Sequence, residues 1–273
     1  MQRKPHTMFV VAIIVAACAA GAGCDKLKAR DRLNKGVNAY KNAQFDQAIE
    51  YFKEAKELDP TLTNAQLYLA TAYASQYIPG APSPDNIRNG EQAITEFKNI
   101  LANDPDNLTA IDGLGSILYN MGGTPFDASK FNESKSYHEK HIQIKPDDPE
   151  PYYWVGVIDW SLAFRANKDL RDAYNKTAKK PIKESDPLPP AVAKDFADKY
   201  GPVVDDGITS LQKAQTLRAE YDDAMAYLNL LYRQKADMET TMDARNQDLQ
   251  QADDLVERVK AIKQKKANLT PSS

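Results

Sequence analysis

A recurring pattern of small and aromatic residues constrains this chain more than any other feature of its sequence. The clearest copy covers residues 29–62, where Gly36 and Ala48 are small at the places where two helices would approach closely. Phe52 would face the next pair of helices, and Pro60 would end the second helix because proline cannot continue its hydrogen-bonding pattern. Helix pairs of this kind cannot bury their apolar faces alone. The pattern therefore predicts an array of stacked helix pairs.

The pattern recurs along the chain with insertions in the second, third and fourth copies. The predicted units are 29–62, 63–107, 108–148, 149–221 and 222–266. The longest insertion lies between Leu162 and Asp206, in the fourth unit. Its first part, in SLAFRANKDLRDAYNK, is predicted to prolong a helix, and KKPIKESDPLPP is a polar, proline-rich segment typical of a loop. A further helix is expected after Pro190.

The segment NAQFDQAIEYFKEAKELDP resembles the second half of a tetratricopeptide repeat (TPR). The resemblance covers roughly residues 28–266. It implies an all-α, right-handed TPR solenoid of about five helix pairs, with a concave groove that holds a protein or peptide partner. With the N-terminal features described next, the chain also resembles TPR lipoproteins of the bacterial cell envelope. That resemblance implies a scaffold or adaptor in an assembly, secretion or pilus-type complex, and no enzyme.

The N-terminus has the pattern of a targeting segment. Arg3 and Lys4 are positively charged, and a run without formal charge from Met8 to Gly23 ends in small residues before Cys24. This run is short for a membrane span, which needs roughly 20 apolar residues. The pattern resembles a bacterial lipoprotein signal, which implies that Cys24 carries the lipid. Cys18 is the alternative, because it has a branched residue three places upstream.

The lipoprotein resemblance has further implications for processing and location. Residues 1–23 would be the signal peptide, residues 24–28 a lipid-anchored lead and residues 267–273 a flexible tail. The protein would be anchored in the cell envelope and face the periplasm, with the outer membrane preferred over the inner membrane. The net charge of −3 includes no basic stripe that would bind a phosphate backbone, so nucleic acid is not expected as a partner.

The sequence offers little material for catalysis. It has no glycine-rich phosphate loop after a strand and no cofactor motif, so neither an enzymatic activity nor a cofactor is expected. His138 and His141 are spaced to lie on one helix face, which gives a metal-dependent factor as a less favoured alternative. Both occupy repeat positions that face the core of a TPR array, so packing is the preferred interpretation.

The concave face is the predicted binding surface. Tyr40, Tyr119 and Trp160 occupy the same position of their units, and Tyr153 and Arg233 lie on the same expected face. Large aromatic and Arg side chains commonly dominate binding energy at protein interfaces. Two interpretations stay open: these side chains grip an extended or helical segment of a partner, or the 162–206 insert folds back and covers the aromatic ones.

The resemblance to TPR proteins does not extend to a chaperone-type clamp for a C-terminal carboxylate. That clamp includes an Asn at the ninth position of a unit. The corresponding residues here are Val37, Thr71, Ser116, Val157 and Leu230. The favoured function is therefore a membrane-anchored scaffold, and the alternative is a periplasmic assembly factor or chaperone for exported clients.

Overall fold

The computed structural model describes the backbone of residues 6–269 and the side chains of residues 24–268. The described backbone contains ten α-helices and no β-strand. They are α1 (His6–Lys41), α2 (Phe45–Leu58), α3 (Thr63–Gln76), α4 (Pro84–Asn103), α5 (Leu108–Gly123), α6 (Ala128–Ile144), α7 (Pro149–Thr177), α8 (Pro190–Leu217), α9 (Asp222–Ala236) and α10 (Met242–Leu269). The all-α fold class predicted from the repeat pattern is confirmed.

The chain forms two compact units, Met1–Pro125 and Phe126–Ser273. The boundary falls within the predicted third repeat, so that α5 belongs to the first unit and α6 to the second. In the first unit each helix packs against the next one along the chain. In the second unit α7 is central, because it packs against α6, α8 and α9, while α10 packs against α9.

Close helix contacts in the first unit depend on glycine and alanine, as the repeat pattern predicts. A Cβ atom added to Gly36 would lie 2.4 Å from Cε1 of Phe52, a distance that real Cβ atoms do not reach. Phe52 and Ala48 are completely buried. Gly36 therefore permits the close contact between α1 and α2 that the repeat pattern predicts, and Phe52, which was expected to face the next pair of helices, also contacts α1.

The start of α4 is stabilised by a capping residue. The Ser83 hydroxyl accepts a hydrogen bond from the backbone N–H of Asn86, and Pro84 occupies the first turn of the helix. These are favoured residues at helix starts, because the cap satisfies an N–H group that has no partner within the helix. Asn86 is itself buried and bonds the backbone of Ile78 and Ala81, which fixes the loop before the helix.

The predicted prolongation of the first helix of the fourth unit is confirmed, since α7 continues to Thr177. A loop of residues 178–189 follows, and α8 begins at Pro190 as expected. We call residues 178–189 the insert loop. Within the second unit, Gly156 lets α7 approach α8 closely, because an added Cβ atom would lie 2.3 Å from Cγ of Leu211.

The anchor prediction concerns residues whose side chains, for the most part, the structure does not describe. Cys24 is exposed and forms no disulfide, whereas the side chain of Cys18 and those of the rest of the predicted signal peptide lie outside the described ones. In the part of the chain that is described, none of the helices combines the length and the apolar character that crossing a bilayer requires.

Candidate binding site

Two of the residues predicted to bind a partner, Tyr40 and Tyr119, lie in the first compact unit, and both are half-buried. The hydroxyl oxygen of Tyr40 lies 2.7 Å from Oγ of Ser75, and its ring meets Phe45 edge-on with 5.3 Å between ring centroids. Tyr119 lies on α5. Tyr40 lies on α1, and these contacts hold its side chain against α2 and α3. Part of the role of Tyr40 is therefore structural.

Tyr153 in the second unit belongs to an aromatic cluster. Its ring centroid lies 5.2 Å from that of Tyr221 and 5.8 Å from that of Tyr227, both of which come from the region of α9. The ring also packs against the buried core of the unit. Aromatic pairs at such distances stabilise a core beyond the area they bury. Packing between α7 and α9 therefore accounts for the position of Tyr153.

Trp160 and Arg233, the other two predicted residues, meet at a pocket of about 400 Å³ in the second unit. One wall is a face of α7, a second is α9, and a third is the insert loop. Its lining residues are Trp160, Phe164, Asn167, Lys168, Arg171, Asp172, Asn175, Ile182, Glu184, Leu230, Arg233, Gln234 and Asp237. The volume lies in the lower part of the range for ligand pockets, roughly 300–1,000 Å³.

One side of this pocket is apolar. The rings of Trp160 and Phe164 are stacked, with their centroids 5.2 Å apart and their planes inclined by 23°. Tyr227 supports the indole of Trp160 edge-on at 5.3 Å. Leu230 and Ile182 complete the apolar lining. Phe164 is 39% exposed, so a large aromatic surface is presented where a partner can reach it.

The other side of the pocket is a network of polar side chains. The Asn167 amide donates to Gln234 Oε1 and to Asp237 Oδ2, both at 2.9 Å. The Arg171 guanidinium donates to Asn167 Oδ1 at 2.8 Å and to Asp237 Oδ2 at 2.7 Å. Arg171 and Asn167 are nearly completely buried. Buried polar networks whose members are paired hold their side chains in one arrangement, so this wall is rigid.

The insert loop is fixed to the same network. Arg171 donates to the backbone carbonyls of Lys183 at 3.0 Å and Asp186 at 2.9 Å. Asn175 bonds both backbone groups of Ile182, accepting from its N–H at 2.9 Å and donating to its carbonyl at 3.0 Å. Because the backbone of Ile182 is held on both sides, the loop forms a defined wall of the pocket.

The insert therefore folds back towards the aromatic residues of the second unit, but it does not bury them. Trp160 remains partly exposed and Phe164 more so. The structure of this region therefore lies between the two interpretations left open by the sequence. The insert loop forms one wall of a pocket on this face, and the aromatic side of the pocket stays accessible.

Arg233 lies at the edge of the pocket and is held by charged and polar neighbours. Its guanidinium donates to Asp253 at 2.7 Å and to Asn229 at 3.2 Å. A half-exposed ion pair of this kind contributes little to stability. The ion pair of Arg233 with Asp253 can therefore be broken at low cost.

Several pocket residues were not identified from the sequence. Phe164, Asn167 and Arg171 follow Trp160 at spacings of four, seven and eleven residues, which places them on one face of α7. The repeat register stops at the insertion, so these residues had no assigned position. The helical spacing from Trp160 was the signal that could have found them. The insert-loop wall left no comparable signal.

His138 and His141 pack inside the protein. Both are almost completely buried, and the His138 ring is stacked on Trp154 with centroids 5.8 Å apart. Among the described residues no group of three or more His, Cys, Asp or Glu could hold a metal ion. Burial, together with the neighbouring His141, lowers the pKa of His138 to about 4. Their burial and the stacking of His138 on Trp154 are consistent with the packing role that the repeat register favours.

A group of charged side chains around the buried Asp159 lies between α6, α7 and α8. Lys135 Nζ is 2.7 Å and 2.9 Å from the two carboxylate oxygens of Asp159 and 2.6 Å from Asp206 Oδ2. Asp159 is completely buried. Burial raises the pKa of its carboxyl to about 7, although the attraction of Lys135 opposes this effect. The group links α6, α7 and α8, and none of its three residues lines the pocket described above.

Comparisons with known proteins address the fold. A crystal structure of MamA matches with a TM-score of 0.59 at 15% identity, over 90% of this chain and 97% of that one. MamA from Desulfovibrio magneticus RS-1, from residue 41 to its end, matches with a TM-score of 0.56 at 16% identity, over 87% and 96%. YrrB, described as a TPR protein with an unusual peptide-binding site, matches with a TM-score of 0.51 at 13% identity, over 85% and 90%.

The fold is that of a TPR protein. No protein-family model matches the sequence, and no curated protein matches it. At these identities the likeness to MamA and YrrB establishes the architecture alone, because one fold carries many functions. What this TPR protein binds must therefore be argued from its own residues.

Proposed function

We propose that this protein is a lipid-anchored scaffold of the bacterial cell envelope that holds a protein partner in the pocket formed by α7, α9 and the insert loop. One observation carries the proposal. The Trp160 and Phe164 rings form an accessible aromatic surface inside a pocket whose polar wall is already organised. Preorganised pockets with aromatic anchors are where binding energy concentrates in protein interfaces.

Two further points support a binding role. YrrB, which has the same fold, is described as having a peptide-binding site. Most charged groups of the pocket are engaged in ion pairs, such as Arg171 with Asp237, and no arrangement of a nucleophile with a general base lines it. The pocket therefore suits recognition better than chemistry.

The cell-envelope part of the proposal rests on the sequence. The run from Met8 to Gly23 and the position of Cys24 resemble a lipoprotein signal, and Cys24 is exposed where a lipid could be attached. Lipidation would place the TPR array at a membrane surface. A small pocket with fixed walls favours one specific partner over the many unfolded clients of a chaperone.

Site-specific photo-crosslinking tests the proposal. The photoreactive amino acid p-benzoylphenylalanine is placed at position 164 or, as a matched control, at position 144. Ile144 is 38% exposed, close to the 39% of Phe164, and lies outside the pocket. We expect one defined partner to be crosslinked in membranes from position 164 and not from position 144. A broad set of unrelated proteins would favour the chaperone alternative, and equal crosslinking from both positions would contradict the proposal.

A further inference from the structure

The charges that line the pocket determine which partner chemistry it can take. Arg171 pairs with Asp237 at 2.7 Å, and Lys168 pairs with Asp172 at 2.6 Å. Asp237 is further engaged by Arg245 at 3.4 Å. The lining contains three basic and three acidic side chains, so they balance. An acidic or basic group entering the pocket would have to break one of these pairs or remain without its own counterion.

Breaking the ion pair of Arg171 with Asp237 is costly because the Arg171 guanidinium makes several hydrogen bonds within the protein. Its guanidinium donates to Asn167, to two carbonyls of the insert loop and to Asp237. The side chains of Arg171 and Asp237 are only 9% and 13% exposed. A carboxylate from a partner would therefore gain little from Arg171 and would face the exposed Glu184 on the insert loop. The inner part of the pocket therefore does not suit an acidic side chain or a free C-terminus, and Arg233, whose exposed pair with Asp253 is easier to break, lies only at the edge of the pocket.

Shape and apolar lining favour a different ligand group. The stacked Trp160 and Phe164 rings lie with Leu230 and Ile182 in a space of about 400 Å³. This space is too small for a length of helix, but it suits one large side chain with its flanking backbone. Burying an aromatic or branched aliphatic side chain removes enough apolar surface from water to favour it over a charged side chain by about ten-fold or more.

We infer that the pocket takes a single uncharged aromatic or branched aliphatic side chain of the partner, with the insert loop as its end wall. This inference rests on the proposed function, because it names the partner chemistry of the same pocket. Ile182 is the residue of the end wall that touches the bound side chain, and Asn175 positions it through two backbone hydrogen bonds. Selectivity then depends on the long insertion of the fourth repeat.

Capped tripeptides provide a direct test with purified full-length protein. The probes are acetyl-Gly-Xaa-Gly-amide peptides in which Xaa is Phe, Leu, Glu or Lys. The chain has two tryptophans, so Trp154→Phe leaves Trp160 as the single fluorescent reporter, and it lies in the pocket. We expect the Phe and Leu peptides to change Trp160 fluorescence saturably and to bind at least ten-fold more tightly than the Glu and Lys peptides.

Matched variants locate the binding. In the Trp154→Phe background, Phe164→Ala should weaken binding of the Phe peptide about ten-fold or more, and Ile144→Ala should leave it unchanged. Circular dichroism of each variant confirms that the helices are retained. The inference is overturned if charged peptides bind as tightly as apolar ones, if no peptide gives a saturable response, or if Phe164→Ala binds like Ile144→Ala.

The two tests fail independently. If position 164 crosslinks one defined partner but the peptides show no apolar preference, the scaffold function stands and the chemistry inferred for the pocket is wrong. If apolar peptides are preferred but no partner is crosslinked from position 164, the pocket chemistry stands and the scaffold function through this site is wrong.

Discussion

Lys135 Nζ lies 2.7 Å from Oδ1 of Asp159, a carboxylate with no solvent exposure. The same ammonium group contacts Asp206 Oδ2 at 2.6 Å. One lysine on α6 therefore compensates a buried charge on α7 and a half-exposed charge on α8. Removing one partner of a buried pair leaves the other without compensation, which is far more costly than losing a surface pair.

This relationship gives the first prediction. Lys135→Met should lower the free energy of unfolding by about 3–5 kcal/mol at pH 8, where Asp159 is ionised. The loss should be smaller at pH 5, because Asp159, with a pKa of about 7, is then protonated and needs no counterion. Urea denaturation at both pH values measures the difference. Lys194→Met, in an exposed pair with Asp198, is the control and should change little. A loss that does not depend on pH would contradict the assignment.

The sign of the Asp159 effect can be tested separately. Its folded-state pKa lies above its ordinary value of 3.8, so its contribution to stability is fully present below about pH 4 and is lost as the pH rises to about 7. Asp159→Asn removes this titration. We expect the variant to gain stability relative to the native protein as the pH rises from 4 to 7. Parallel stability curves for the two proteins over that range would contradict the prediction.

His138 has the opposite pH dependence. Both of its ring nitrogens are buried without a hydrogen-bond partner among the described residues, and its pKa is lowered to about 4. Stability is therefore lost as the pH falls below about 6.5. His138→Phe should stabilise the protein, and the gain should be larger at pH 5 than at pH 7.5 by about 2 kcal/mol. Thermal or urea unfolding checks this, and an equal gain at both pH values would exclude the protonation argument.

The repeat register makes a prediction about packing. Ala48→Trp should lower the free energy of unfolding by about 1–3 kcal/mol or more, because the site is completely buried at a close helix contact. Lys53→Ala, on the same helix with a side chain that is 42% exposed, should cost little. Equal melting temperatures for the two variants would show that the residues of the first repeat are wrongly assigned.

The insert loop should be released by a single change. Asn175→Ala removes both hydrogen bonds to the backbone of Ile182, and Lys179 and Lys183 in the loop are cleavage sites for trypsin. We expect cleavage within residues 178–189 to become faster while the helix content is retained. Thr177→Ala is the neighbouring control. Its hydroxyl bonds only the preceding turn of α7, through the carbonyl of Tyr174, so the variant should be cleaved like the native protein.

The anchor is tested by fractionation. Cys24→Ser should release the protein from membranes and abolish labelling by a lipid precursor, because a single acyl-modified cysteine supplies the expected attachment. Cys18→Ser is the companion variant, and loss of anchoring in it alone would assign the lipid to Cys18. Unchanged membrane association in both variants would exclude the lipoprotein interpretation.

The sequence predicted the fold well where residue size is decisive. Gly36 and Ala48 could be assigned because only small residues permit the close helix contact that a repeat requires. Of the predicted binding residues, Trp160 and Arg233 line the pocket, whereas Tyr153 packs between helices. Their repeat positions specify a face of the array, but not how much of that face neighbouring rings cover.

The pocket itself could not be predicted from the repeat pattern. Its end wall depends on Arg171 reaching backbone carbonyls twelve and fifteen residues further along the chain. Such contacts are set by the path of the loop and leave no mark on the identity of the residues that accept them. The buried pair of Lys135 and Asp159 was missed for a similar reason, since charged residues are ordinarily expected on a solvated face.

The bonds that hold the insert loop have a consequence for how this protein could change its specificity. Arg171 and Arg245 bind carbonyl groups of Lys183, Ser185 and Asp186, and those groups are present whatever side chains the loop carries. The side chains at positions 182 and 184 can therefore be exchanged while the attachment of the loop is kept. Directed libraries at these two positions would be a practical way to retarget the protein to new ligands without redesigning its helices.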